Sequence, residues 1–193
     1  MIEAALDLIV DELNAYVNGA EGEPYVLLER LVNDDGKYIV GQGKVAASLV
    51  NMEEERIVKN KFPKKEVGDL QAKRNPDVLL NLYVLFAVNT KIGSDPKNYS
   101  NGLKLLSRIV AFFQGKNQFT HQNTPSMPDG LQQLNVELYP MSIENQNNLW
   151  AGLGAKYLPS ALYKIRMVAI SDQQQVDFSP LIQTLNIEHG GAQ

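Results

Sequence analysis

Apolar residues recur at helical spacing from the first turn of the chain. Ile2, Leu6, Ile9, Leu13 and Val17 fall on one stripe, Val10 widens it, and Asp7, Asp11 and Glu12 lie outside. Gly19 and Gly22 predict the stop and Pro24 seals it. Tyr25–Val32 and Lys37–Gly41 then read as two strands joined by the turn-forming run Asn33-Asp34-Asp35-Gly36. Val45–Met52 is a third strand, apolar on both faces at first, ending in the acids Glu53, Glu54 and Glu55. Residues 59–76 lose all periodicity and read as a solvated, basic loop. From Val78 to Val88 the chain is almost wholly apolar, as suits a central strand buried on both faces, with Asn81 needing an internal partner; a helix is compatible with the periodicity alone.

Asp95-Pro96 is a helix start, and Tyr99, Leu103, Leu106, Val110 and Phe113 predict its buried stripe, broadened by Ile109 and Phe112 and ended by Gly115. Residues 116–130 read as a polar loop. Leu134–Tyr139 alternates strictly, as a half-buried strand does. Ser142 can cap a short helix through Leu149 and Trp150, and Ala161–Ile170 is the last strand. About six strands and three helices interleave without a repeat. The expected fold class is α+β, a single domain with a mixed twisted sheet flanked by helices. Residues 1–170 form the expected domain, and 171–193 a polar, weakly patterned tail.

Composition narrows the chemistry. With 193 residues, 44% hydrophobic and 21% charged, the chain can bury one ordinary core. There are no cysteines, which removes disulfides and thiolate chemistry. No apolar run is long enough to predict membrane insertion, and the acidic amino end does not read as a secretory signal. The formal net charge is −4 but unevenly spread: residues 1–55 hold 3 basic and 12 acidic side chains, whereas 56–74 hold 7 basic and 2 acidic. One short basic stretch in an acidic chain does not point to nucleic acid. Seventeen Asn and 13 Gln side chains suit wet protein–protein contacts.

Catalytic and cofactor signals are weak. The two histidines, His121 and His189, lie in a proline-rich loop and near the end of the chain, with no Gly-x-Ser-x-Gly elbow to pair with. Gly152-Leu-Gly154 lacks the third glycine of a dinucleotide loop, since Tyr157 stands there, and a helix precedes it. No metal-ligand spacing occurs. The expectation is therefore no catalytic residue, cofactor or metal, and a binding or assembly protein.

Four stretches read in register resemble a known family: Ser48–Arg56 (SLVNMEEER), Pro76–Ala87 (PDVLLNLYVLFA), Leu105–Gly115 (LLSRIVAFFQG), and Leu149–Ser160 (LWAGLGAKYLPS) running into Tyr163–Met167 (YKIRM). Together they are similar to the cap, or tail-terminator, family of phage-tail-like contractile injection systems, in the amino-terminal domain of the virulence-cassette and antifeeding-prophage caps. The resemblance implies a tail-terminator-like fold and structural work. A six-fold ring would stop inner-tube growth and hold the last sheath ring, with tube and sheath proteins as partners and a second cap protein sharing the task. It implies assembly in the cytoplasm on a particle that can be released. Candidate contact residues are Glu54, Arg56, Lys64, Lys65, Trp150, Tyr157, Leu158, Pro159 and Arg166, with burial inside the protomer the favoured reading for Trp150, Tyr157, Leu158 and Pro159. The expected site for an incoming strand is the edge of Val45–Arg56 or of Ala161–Ile170. A phage tail-completion protein, a small hydrolase using His121 and a ligand-binding module with a deep apolar pocket are the rival readings.

Overall fold

The computed structural model describes residues 1–18, 23–55, 64–67, 70–73, 78–90, 97–169 and 177–180. Three helices, α1 (Ile2–Asn18), α2 (Lys97–Gly115) and α3 (Ile143–Gly152), accompany a six-stranded sheet. Its order is β1 (Val26–Leu28), β2 (Val45–Glu54), β5 (Val78–Val88), β8 (Ser160–Ala169), β7 (Leu131–Leu138) and β6 (Gln118–Thr120). Every neighbouring pair is antiparallel except β1 and β2. A separate three-stranded sheet holds β3 (Lys64–Val67), β4 (Leu70–Lys73) and β9 (Asp177–Pro180).

The apolar run of β5 makes it the spine. Alternation sends Leu82, Val84, Phe86 and Val88 to one face, where α1 and α2 pack, and Leu85 and Ala87 to the other. The helix α1 buries Leu6, Ile9, Val10, Leu13 and Val17 of the expected stripe, half-buries Ile2, and adds Ala5 and Leu8. Phe86 is fully buried in an aromatic nest, with ring centroids 5.6 Å from Phe113 and 5.7 Å from Tyr163. On the second face Leu31 and Val40, from the segment between β1 and β2, join Trp150, Leu158 and Leu162. This second cluster covers the end of the sheet near Ala46 and Ala87 and leaves the Asn81 end of that face to polar side chains.

Several expectations are corrected. The Tyr25–Gly41 hairpin shrinks to a three-residue strand parallel to β2 and one bridge, Val32 to Tyr38. The turn itself forms, with Asn33 Oδ1 accepting from the N–H groups of Asp35 and Lys37 and Gly36 at φ 71°. Leu31 and Val40 are apolar because the crossover segment plugs the second core. The stretch read as a structureless loop contributes β3 and β4, and the stretch read as a tail contributes β9, so Ala161–Ile170 is not the last strand. Residues 116–130 contain β6.

In α2 the buried positions are Gly102, Leu105, Leu106, Ile109, Phe112 and Phe113, while Tyr99 and Leu103 are exposed. The reason is Gly102. A Cβ there would stand 2.6 Å from Thr90 Cγ2 and 3.0 Å from Val88 Cγ1, so the helix approaches the sheet through its glycine and turns Tyr99 outward. The expected stops at Gly19 and Gly22 and the start at Asp95-Pro96 lie outside the described residues.

Burial pushes the Tyr163 hydroxyl up to about 12, against 10.0 for a free tyrosine. The folded state holds this proton more tightly, so the stability it supports is whole below pH 10.0 and lost as pH rises through about 12. Titration by phenolate absorbance should show a last ionisation near the unfolding step, absent in Tyr163→Phe. A complete titration of all tyrosines in the native protein by about pH 10 would contradict this burial.

Candidate functional site

Beyond the reach of α3 the second face of the sheet is polar, because inward-pointing positions there carry amides, acids and cations. A bulge between Leu49 and Asn51 shifts the β2 register so that Asn51 opposes Tyr83 and Glu53 opposes Asn81. Tyr83 donates from its hydroxyl to Glu53 Oε2 at 3.0 Å, and Asn51 Nδ2 donates to Glu53 Oε1 at 3.1 Å. Burial, then the bond to Glu53 and its charge, raises the Tyr83 pKa, with Tyr139 and Glu55 adding to it. The Tyr139 ring meets Tyr83 edge-on, with centroids 5.1 Å apart.

Glu55 organises the centre of this face. Its side chain is 12% exposed, and its Oε2 accepts from Asn81 Nδ2 at 3.0 Å while lying 3.7 Å from Arg166 Nε and 4.0 Å from Lys164 Nζ. Asn81 therefore has the internal partner its sequence position demanded, although its Oδ1 and the Arg166 Nε are buried without a hydrogen bond. Glu55→Ala should cost about 2 kcal/mol in urea unfolding, because it strands the Asn81 amide and two cations; Glu55→Gln keeps an acceptor and should cost less than half of that. Equal costs would mean that charge, and not the hydrogen bond, carries the effect.

The candidate residues lie in three places: the large sheet, the small sheet and the corner beside α3. Glu54 is exposed at the end of β2, and Arg166, 43% exposed, stands on β8 beside Glu55. Lys64 and Lys65 are on β3 of the small sheet. Arg56 lies outside the described residues, as does His189. Trp150 and Leu158 are buried in the second core and Pro159 is buried beside Leu158 in the chain, as the favoured reading of the sequence has it. Tyr157 is 58% exposed, its ring 5.5 Å from Trp150. This corner is fixed by the α3 N-cap, where Ser142 Oγ accepts from Asn145 N–H, and by Tyr38, whose hydroxyl donates to the Lys156 carbonyl. The sequence reading missed Glu55, Tyr83, Tyr139 and Lys164. Their signal was polar residues at alternate positions of otherwise apolar strands, visible once register is known.

Strand edges also separate. β8 pairs with β5 on one side and β7 on the other, so within the described residues the expected edge of Ala161–Ile170 is taken from Tyr163 to Ala169. β2 pairs with β5 along its length but with β1 only at Val45–Ala47. His121 is exposed, its Nε2 2.8 Å from the Leu131 carbonyl. A groove of about 330 Å³ lies beside α1 and α2, lined by Val17, Tyr25 and Leu105 and by Asn98, Lys104 and Arg108. Among the described residues no group of three or more potential metal ligands occurs, and no helix is long and apolar enough to cross a membrane.

The described residues thus form a mixed six-stranded sheet with α1 and α2 on one face, α3 and a second apolar cluster at one end of the other, and polar side chains at its far end. The chain belongs to the Pvc16 N-terminal domain family, whose model matches residues 5–184. Among solved structures it is similar to the sheath/tube terminator of an extracellular contractile injection system, PVC, in its extended state. That match has a TM-score of 0.62 at 12% identity and covers 100% of this chain and 65% of the other. It is also similar to the tube-terminating cap of the anti-feeding prophage, with a TM-score of 0.61 at 14% identity, covering 98% of this chain and 61% of the other. The chain thus spans a little under two thirds of the length of these structures. No curated protein matches it. At such identities the likeness is one of fold, and the expected α+β tail-terminator fold is the one found.

Proposed function

We propose that the chain is the structural cap, or tail terminator, of a contractile injection system. It forms a six-fold ring at the end distant from the baseplate, stops growth of the inner tube and anchors the last sheath ring. The observation that carries this reading is the family match over residues 5–184, together with the shared fold of two chains that are themselves a sheath/tube terminator and a tube-terminating cap. Physically, a tube of stacked rings presents the same surface after each addition, so growth ends when a ring binds that does not propagate. Heterologous contacts around a closed ring let one small subunit do so.

In this reading the role is structural, with no catalysis and no cofactor. The partners are other copies of the chain, the inner tube protein, the sheath protein and a second cap protein that shares the task. Residues 1–170 are the cap domain and 171–193 its tail, with Asp177–Pro180 adding a strand to β4. Glu54, Arg56, Lys64, Lys65, Tyr157 and Arg166 are its contact residues toward neighbours. Assembly takes place in the cytoplasm, on a particle that is then released. Immunogold labelling of an epitope-tagged chain on purified particles tests the position directly. Gold confined to the baseplate-distal tip is expected; gold along the sheath, at the baseplate or absent would overturn the reading.

A further inference from the structure

The helical layer on the first face of the sheet is split by charge. α1 carries Glu3, Asp7, Asp11 and Glu12 and no basic residue, whereas α2 carries Lys97, Lys104 and Arg108 and no acid. The helices run antiparallel, since the Tyr16 and Phe112 rings meet with centroids 5.3 Å apart while Val17 lines a groove with Leu105 and Arg108. Glu12 is taken by Lys116, 2.7 Å away just past the end of α2. From the level of Tyr16 and Phe112 the other acids therefore run one way and the cations the other. At a rise of about 1.5 Å per residue, Asp7 and Lys104 stand roughly 25 Å apart along the axes. Salt screens exposed charges beyond about 8 Å, so each group is left to act on something outside the protomer.

Both groups also form stripes. At about 3.6 residues per turn, Glu3, Asp7 and Asp11 share a band roughly 80° wide, and Lys97, Lys104 and Arg108 one roughly 40° wide. All six side chains are exposed, and Asp7, Asp11, Lys104 and Arg108 form no ion pair among the described residues. Lys104 and Arg108 line the groove of about 330 Å³ together with the buried Val17 and Leu105 and with Tyr25, which is 46% exposed. Cations beside apolar lining suit an acidic segment that can come close. The chain itself carries one, because Ala4 and Ala15 border the acids of α1 and add no bulk. The four-residue step from Asp7 to Asp11 equals that from Lys104 to Arg108, about 6 Å on each helix. Like stripes brought together would oppose carboxylates to carboxylates or cations to cations. Unlike stripes joined copy after copy make a heterologous contact, the kind that closes into a ring.

We propose that the groove beside Lys104 and Arg108 in one copy receives the Glu3–Asp11 stripe of α1 from the next copy. This deepens the ring reading and rests on it. A carbodiimide, which joins a carboxylate to a lysine amine without a spacer, tests it on the unaltered chain, both in the soluble pool and in purified particles. Products are read on a gel and by peptide mass. The expected result is Lys104 joined to Glu3, Asp7 or Asp11, in a ladder of products that runs past the dimer. The separation within one protomer forbids these links, so each of them reports two copies. In particles, Lys104→Glu with Arg108→Glu should deplete the chain about tenfold, and adding Asp7→Lys with Asp11→Lys should restore it at the same formal net charge of −4. A chain present in particles with Lys104 unlinked, or linked to a different protein, would overturn the contact and leave the cap reading standing. A ladder that stops at the dimer, or a fourfold variant as depleted as the double one, would likewise overturn it. Links and ladder in solution with no chain in particles would keep the contact and remove the cap. Neither links nor incorporation would remove both.

Discussion

Phe86→Ala is expected to lower the unfolding free energy by about 4 kcal/mol, the largest loss of any single core truncation in this chain. Phe86 is 0% exposed on the central strand and touches both layers of the aromatic nest, so its removal leaves a cavity that Phe113 and Tyr163 cannot both fill. The Phe113 and Tyr163 rings, 4.6 Å apart, are already packed on each other. Loss of the edge-on contact with Tyr163, at an interplanar angle of 84°, adds to the transfer and cavity terms. For a chain of this size the melting temperature should fall by about 10 °C. Urea unfolding of the two proteins measures it, and a loss below about 1 kcal/mol would contradict the placement of α2 against β5.

The second large effect separates core from contact. Trp150→Ala should cost about 3 kcal/mol, because the side chain is 4% exposed and ties α3 to Ala46, Leu85 and Leu162. Tyr157→Ala, at a ring 58% exposed, should cost less than about 1 kcal/mol. Under the cap reading the two variants fail differently. Trp150→Ala should be lost from particles in proportion to its instability, whereas Tyr157→Ala should fold normally and still be depleted from particle tips. Quantitative blotting of purified particles beside a melting curve gives both values. Full incorporation of Tyr157→Ala would remove Tyr157 from the contact surface.

What the sequence made legible follows from how strongly each segment is constrained locally. The α1 stripe and the β5 run are long and unambiguous, and both lie where their apolar positions predict. The α3 cap was readable because Ser142 needs no tertiary partner to bond the Asn145 N–H. The α2 face was misread where tertiary packing outweighed periodicity: Gly102, and not Tyr99 or Leu103, meets the sheet. A glycine inside a helix of bulky residues was the available signal. The strands β3, β4 and β9 are four residues each, too short for alternation to stand out, and β9 pairs across a long stretch of chain. The polar face around Glu55 depends on register between β2, β5 and β8 and on a one-residue bulge, which no local pattern specifies. Nothing local to the sequence places Glu55 between Asn81 and Arg166.

Termination of tube growth is the central claim, and particle length measures it most directly. Electron micrographs of particles from cells making the apparatus with and without this chain give two length distributions. The cap reading predicts a narrow distribution with closed tips when the chain is present, and runaway tubes or particles shedding their sheaths when it is absent. Identical lengths and identical tips in both would contradict it.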